Sequence, residues 1–176
     1  MTTLLIAASV VTTLQFSVVA QQAITVAGIA SPAGAGSSVP QLTSSKRGAL
    51  LSWIERDGDL ATLKFSERAG NAWTTPATVA QGRDWFVNWA DVPSVIRLDD
   101  GSVYAHWLQK SGPGTYAYDV RLSRSIDDGK TWTPSFTPHR DGTQTEHGFA
   151  SLFQMPGRGS GIDLARWPRD ESHWPW

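Results

Sequence analysis

The sequence has no cysteine, which excludes disulfides, thiolate nucleophiles and cysteine-ligated metals. Without cysteine usage, the compartment is not readable from redox chemistry. No lysine or arginine precedes Lys46, and the net charge is only −1. General electrostatic attraction to nucleic acid or to an anionic membrane is therefore not expected. A sustained helical period is also missing. The apolar runs are short, alternate or are β-branched and aromatic, and stop at Gly, Asp or Pro, as strands do. The expectation is an all-β fold. With 40% apolar and 18% charged residues, the composition is globular rather than disordered.

Aromatic and turn-forming residues are abundant: nine Trp, sixteen Gly and ten Pro in 176 residues. That mix favours short strands joined by frequent turns, in one domain of ordinary size. Residues 1–20 are the most apolar part, running through Leu4, Leu5, Ile6, Val10, Val11 and Val18. They read as a secretory signal cut near Gln21, after the small residues Val18 and Ala20, which implies a secreted or periplasmic protein. A first strand is the alternative, because the usual basic n-region is missing. Interruption by Thr, Ser and Gln argues against a retained membrane span. Residues 21–38, with Ala-Ser-Pro-Ala-Gly-Ala-Gly-Ser-Ser at their end, read as a flexible linker.

The strongest local motif is Ser125-Ile126-Asp127-Asp128-Gly129-Lys130-Thr131-Trp132. Ser125 and Asp127 are short side chains that bond nearby backbone amides and close a turn. Gly129 suits a positive-φ position, and Trp132 restarts the chain as a strand with a large apolar surface to bury. Tyr118, Val120 and Leu122 alternate before the turn, and Trp132 and Phe136 follow it, so a hairpin is expected. A weaker copy lies upstream in Ser66–Trp73. Aligned by residue type, Ser66 matches Ser125, Gly70 matches Gly129 and Trp73 matches Trp132, with Arg68 in place of the Asp. Gly48–Trp53 and Gly101–Trp107 repeat in the same way, giving a period of several strands and a terminal turn.

Polar residues concentrate in two segments, 81–94 and 138–149, each placed before an expected inner strand, Val95–Leu98 and Phe149–Phe153. Asp91, His139, Asp141, Glu146 and His147 are the candidate acid–base groups, since a carboxylate–His pair can move protons. Arg83 and Arg140 can grip a carboxylate with two parallel bonds. Asn88 and Trp89 suit a sugar, with an amide for hydroxyls and an indole face for stacking, and His106 on the strand Val103–Leu108 is read as facing the same site. The His and carboxylate spacing fits no compact zinc motif, so no metal and no cofactor are expected. The blander alternative for each residue is loop closure by capping and ion pairing.

Ser125, Asp127, Gly129 and Trp132, with the degenerate first copy and the Ser38-Val39-Pro40 lead-in, resemble secreted bacterial sialidase-like (BNR/Asp-box) proteins. The resemblance implies part of a six-bladed β-propeller over residues 39–176: blade 1 about 39–82, blade 2 about 92–137, and the start of blade 3 about 147–176. Two to three blades of six suggest a truncated form, whose open sheet edges invite self-association. Sialidases hold the sialic acid carboxylate with three arginines and use an Asp acid/base with a Tyr–Glu pair. Here Ser38 stands where the first arginine is expected, and Asp57 and Asp59 read as a plain hairpin turn. The resemblance thus implies a glycosidase of terminal acidic sugars with an incomplete site. The alternative is a non-catalytic carbohydrate- or protein-binding propeller.

Overall fold

The computed structural model describes residues 24–154. The apolar segment read as a signal, residues 1–20, and the tail with Trp167, Trp174 and Trp176 lie outside the described residues; Ile24–Ala30, in the stretch read as linker, form no strand. From Ser31 onward the chain is all-β and antiparallel, without a helix among the described residues. No helix there is long and apolar enough to cross a membrane.

The first sheet is a meander of β1 (Ser37–Ser45), β2 (Gly48–Asp57), β3 (Leu60–Ala69) and β5 (Ala77–Gly82), with the short β4 (Ala72–Trp73) pairing the far end of β3. β1 starts inside the stretch read as linker, because Ser37 and Ser38 already pair with Glu55 and Ile54 of β2. Asp57 pairs Leu60 across a two-residue loop in which Gly58 takes φ 56°, the positive angle that such hairpin turns demand. The second sheet is β6 (Ser94–Arg97), β7 (Val103–Lys110) and β8 (Tyr118–Ser125) in the order β6-β7-β8.

One core serves both sheets. Leu50, Ile54, Leu63 and Phe65 from the first meet Val95, Val103, Ala105 and Trp107 from the second. Each Leu, Ile, Val or Phe side chain among them contributes about 1.5–3 kcal/mol on leaving water, before the entropy of ordering is counted. Trp85 stacks on Trp107 at 5.3 Å and extends this core toward the polar segment 81–94.

The internal repeat is real in three dimensions, but its register differs from the residue-type alignment. Ser66 Oγ donates to Thr74 O at 2.7 Å, Thr74 Oγ1 accepts from Glu67 N at 3.0 Å, and Thr74 N donates to Glu67 O at 2.9 Å. Ser123 Oγ donates to Thr133 O at 2.7 Å, Thr133 Oγ1 accepts from Arg124 N at 3.1 Å, and Thr133 N donates to Arg124 O at 2.9 Å. The partner of Ser66 is therefore Ser123, not Ser125. Arg68 is no stand-in for the Asp of the box; it pairs with Trp73 across the hairpin and lies over its ring.

Two expected strands do not form. Directly after Trp132 the chain makes an isolated bridge, Leu122 with Phe136, in place of a strand, since Pro134 and Pro138 lack the N–H that a continuing ladder needs. Residues Phe149–Phe153 carry no strand either; isolated bridges flank them at Glu146 and Gln154.

Candidate functional site

Both polar segments dock at the same end of the second sheet. Beyond the short β6, the exposed edge of β7 is taken up by residues 84–86: Phe86 N donates to Leu108 O at 3.0 Å and Lys110 N to Asp84 O at 2.8 Å. On the opposite edge the second segment joins the start of β8, with Tyr118 N donating to Thr145 O at 3.2 Å and His147 N to Tyr118 O at 3.0 Å. Unpaired edge amides and carbonyls are thus satisfied by loops rather than by strands. Phe86 stacks on Tyr118 at 4.1 Å, and Asp91 Oδ2 accepts from Phe149 N at 2.7 Å, which ties the two segments to each other.

This docking creates two polar clusters on adjacent residues of β8. At the first, Tyr118 Oη donates to Glu146 Oε1 at 2.5 Å beside the buried Asp91. Burial raises the Asp91 carboxyl above the usual range; the Phe149 amide opposes this and the Glu146 charge adds to it. Burial, reinforced by Glu146, also pushes the Tyr118 phenol far up, so it stays protonated. Gly148 is required where the chain passes, because a Cβ there would collide with Asp91 and the Tyr118 ring.

At the second cluster, the His139 and His147 rings stack at 3.7 Å and 11° between two carboxylates. Asp141 takes His147 Nε2 at 3.1 Å and His139 Nδ1 at 3.4 Å on its two oxygens. On the other side, Asp119 Oδ1 lies 3.1 Å from His147 Nδ1 and 3.4 Å from His139 Nε2. The hydrogen bond from His147 holds Asp141 well below the usual carboxylate range.

Five of the sequence candidates, Asp91, His139, Asp141, Glu146 and His147, therefore gather at one end of one sheet. The others do not. His106 is 0% exposed inside β7, where burial lowers it to about 4 and keeps it neutral; the reading of it as a ligand-facing group is corrected by its position in the core. Asn88 closes a turn by accepting from Ala90 N and Asp91 N at 2.7 and 2.9 Å. Arg83 and Arg140 are exposed, and Trp89 is 89% exposed.

Sequence reasoning missed three residues. Tyr118 and Asp119 looked like ordinary strand positions, and nothing in the chain pointed to a loop some twenty residues on. Arg97, 2% exposed, grips Glu67 with two bonds of 2.6 and 2.8 Å and reaches Asp128 at 2.9 Å. An Arg inside the strand Ser94–Arg97 was the available signal, since a charge there needs a partner.

No family model, no curated protein and no solved structure matches this chain.

Proposed function

We propose that the chain is part of a sialidase-like, Asp-box β-propeller of the glycoside-hydrolase class, with its two meanders as adjacent blades, and that it handles terminal acidic sugars. The observation that carries the reading is the joining of both polar segments by the Asp91–Phe149 bond at one end of the second sheet. That end brings a raised, buried carboxyl next to a second carboxylate. Two neighbouring carboxyl groups are what acid–base work on a glycosidic bond needs.

The same groups argue that the site within the described residues is incomplete for hydrolysis. Tyr118 and Glu146 are of the residue types the resemblance implies, yet a phenol held protonated is a donor and not a nucleophile. Among the described residues three arginines do not converge: Arg97 is occupied by Glu67 and Asp128, and Arg121 by Ser135 and Thr137. Arg83 and Arg140 remain exposed for an acidic group.

A glycan array with the purified chain tests this. Binding of acidic glycans, weakened tenfold or more in Arg140→Ala or Arg83→Ala and without turnover of a fluorogenic sialoside, is the expected result. Absence of any acidic-glycan binding sinks the reading, and rapid sialoside turnover would sink the claim of an incomplete site. The exposed Trp89 favours a second reading, a neutral-glycan binding module; binding indifferent to sugar charge and abolished by Trp89→Ala would select it.

A further inference from the structure

We infer that Asp119, His139 and His147 form a binding site for a borderline divalent transition cation, zinc foremost. The inference stands apart from the sugar reading, because it rests on the stacked histidines alone.

The argument begins with proton placement. Asp141 meets the outer nitrogens of both rings, His139 Nδ1 and His147 Nε2, in geometry suited to hydrogen bonds. A carboxylate only accepts, so these outer nitrogens carry the N–H. In the neutral rings the inner nitrogens, His139 Nε2 and His147 Nδ1, then hold lone pairs. Both approach Asp119 Oδ1, at 3.4 and 3.1 Å, and that atom is also an acceptor. All three inner atoms are buried, and none has a well-formed hydrogen bond. Three converging acceptors without a hydrogen between them repel, and buried unpaired acceptors are costly. A cation bound by all three resolves this.

Distances and donor types fit such an ion. The three atoms lie within 4.8 Å of one another. Metal–ligand bonds of about 2.0–2.1 Å at a tetrahedral angle put neighbouring ligand atoms roughly 3.3 Å apart, close to the two separations from Asp119 Oδ1. Two imidazoles with one carboxylate oxygen select zinc and its transition-series neighbours over calcium or magnesium, which take oxygen shells. Asp141 supplies the outer carboxylate that orients ligating histidines and raises their basicity. The stack itself must change on binding. An imidazole lone pair lies in the ring plane, and two nearly parallel rings 3.7 Å apart cannot both contain one ion in their planes. Each ring must turn about its Cβ–Cγ bond, so loading opens the stack.

The test uses the full chain stripped with a chelator and dialysed against zinc, with cobalt as a spectroscopic substitute. Expected are one ion per chain, visible d–d bands of four-coordinate cobalt, and shifts of the His139 and His147 ring resonances as the stack opens. Affinity falls at least ~100-fold in the near-isosteric Asp119→Asn and in His147→Gln, and about 10–100-fold in Asp141→Asn. His173→Ala, outside the described residues, leaves binding unchanged, and circular dichroism verifies that each variant folds. The inference is overturned if folded wild type takes up no zinc at tenfold excess. It is equally overturned if binding survives both ligand substitutions, follows His173, or leaves both ring resonances unmoved.

Discussion

The two return turns, Ser66–Thr74 and Ser123–Thr133, are closed by the same latch but put to different uses. In each, a Ser hydroxyl and a Thr N–H and hydroxyl tie the outgoing strand to the returning chain at nearly identical distances. Between those ties the second copy is longer by two residues and carries the Asp-box. The first turn, Gly70-Asn71, is a bare hairpin: a Cβ on Gly70 would meet nothing within 4 Å. The second leans on the first sheet. A Cβ on Gly129 would stand 2.5 Å from Phe65 Cζ, and Trp132 sets its edge against the Phe65 ring at 6.2 Å and 87°. The difference separates two jobs: the Ser–Thr latch fixes the register of each meander, and the box joins one meander to the other.

Arg97 joins them most strongly, and its replacement is expected to have the largest effect. Its guanidinium holds Glu67, beside the first latch, and Asp128, in the box. Burial disfavours its charge, but the Glu67 and Asp128 carboxylates more than offset this and its pKa is raised. Arg97→Met leaves Glu67 half-enclosed without a partner, which should cost about 3–5 kcal/mol in urea unfolding. A loss under about 1 kcal/mol would mean that the sheets are held by the shared apolar core alone.

The glycines sharpen the contrast at one scale lower. Both take positive φ, 58° at Gly70 and 82° at Gly129. Alanine at either site meets the left-handed penalty of about 1–2 kcal/mol. Gly129→Ala adds a collision with the buried Phe65 ring, for roughly another 1–3 kcal/mol of overpacking. Thermal unfolding of the pair should therefore show Gly129→Ala clearly the less stable. Equal losses would show that the box is no wedge.

The strands, their turns and the existence of a repeat were legible because period-two burial and turn chemistry are local properties of the chain. Gly58 and the Asp-box illustrate this. The register was not legible, since residue type alone matched Ser66 to Ser125, whereas a backbone latch invisible in sequence pairs it with Ser123. The candidate site was half legible for the same reason. His139, Asp141, Glu146 and His147 stand out as a polar run, but their partners Tyr118 and Asp119 are defined only once that run docks on the edge of β8. His106 misled because strand alternation gives a facing direction and says nothing about what covers that face: the side of β7 opposite Ala105 and Trp107 is buried too.

The smallest effect separates the two turns by pH. Asp127 accepts from Thr131 Oγ1 at 2.6 Å, from Thr131 N at 2.9 Å and from Ser125 Oγ at 2.7 Å. These bonds, the Thr131 hydroxyl foremost, lower its carboxyl from 3.8 to about 2. A carboxyl with a depressed folded pKa contributes stability that is full above 3.8 and lost as pH falls toward about 2. In Asp127→Asn the group no longer titrates, so the gap between wild type and variant should be constant above that window and should narrow within it. Urea unfolding in steps from about pH 5 to about pH 2 reads this gap directly. Other depressed carboxylates, Glu55, Asp128 and Asp141, titrate in both proteins and cancel in the difference. The equivalent change in the first turn, Asn71→Ala, removes no titrating group and should shift stability by the same amount at every pH. Parallel wild-type and Asp127→Asn curves would show that the box carboxylate is as passive as the hairpin it replaced.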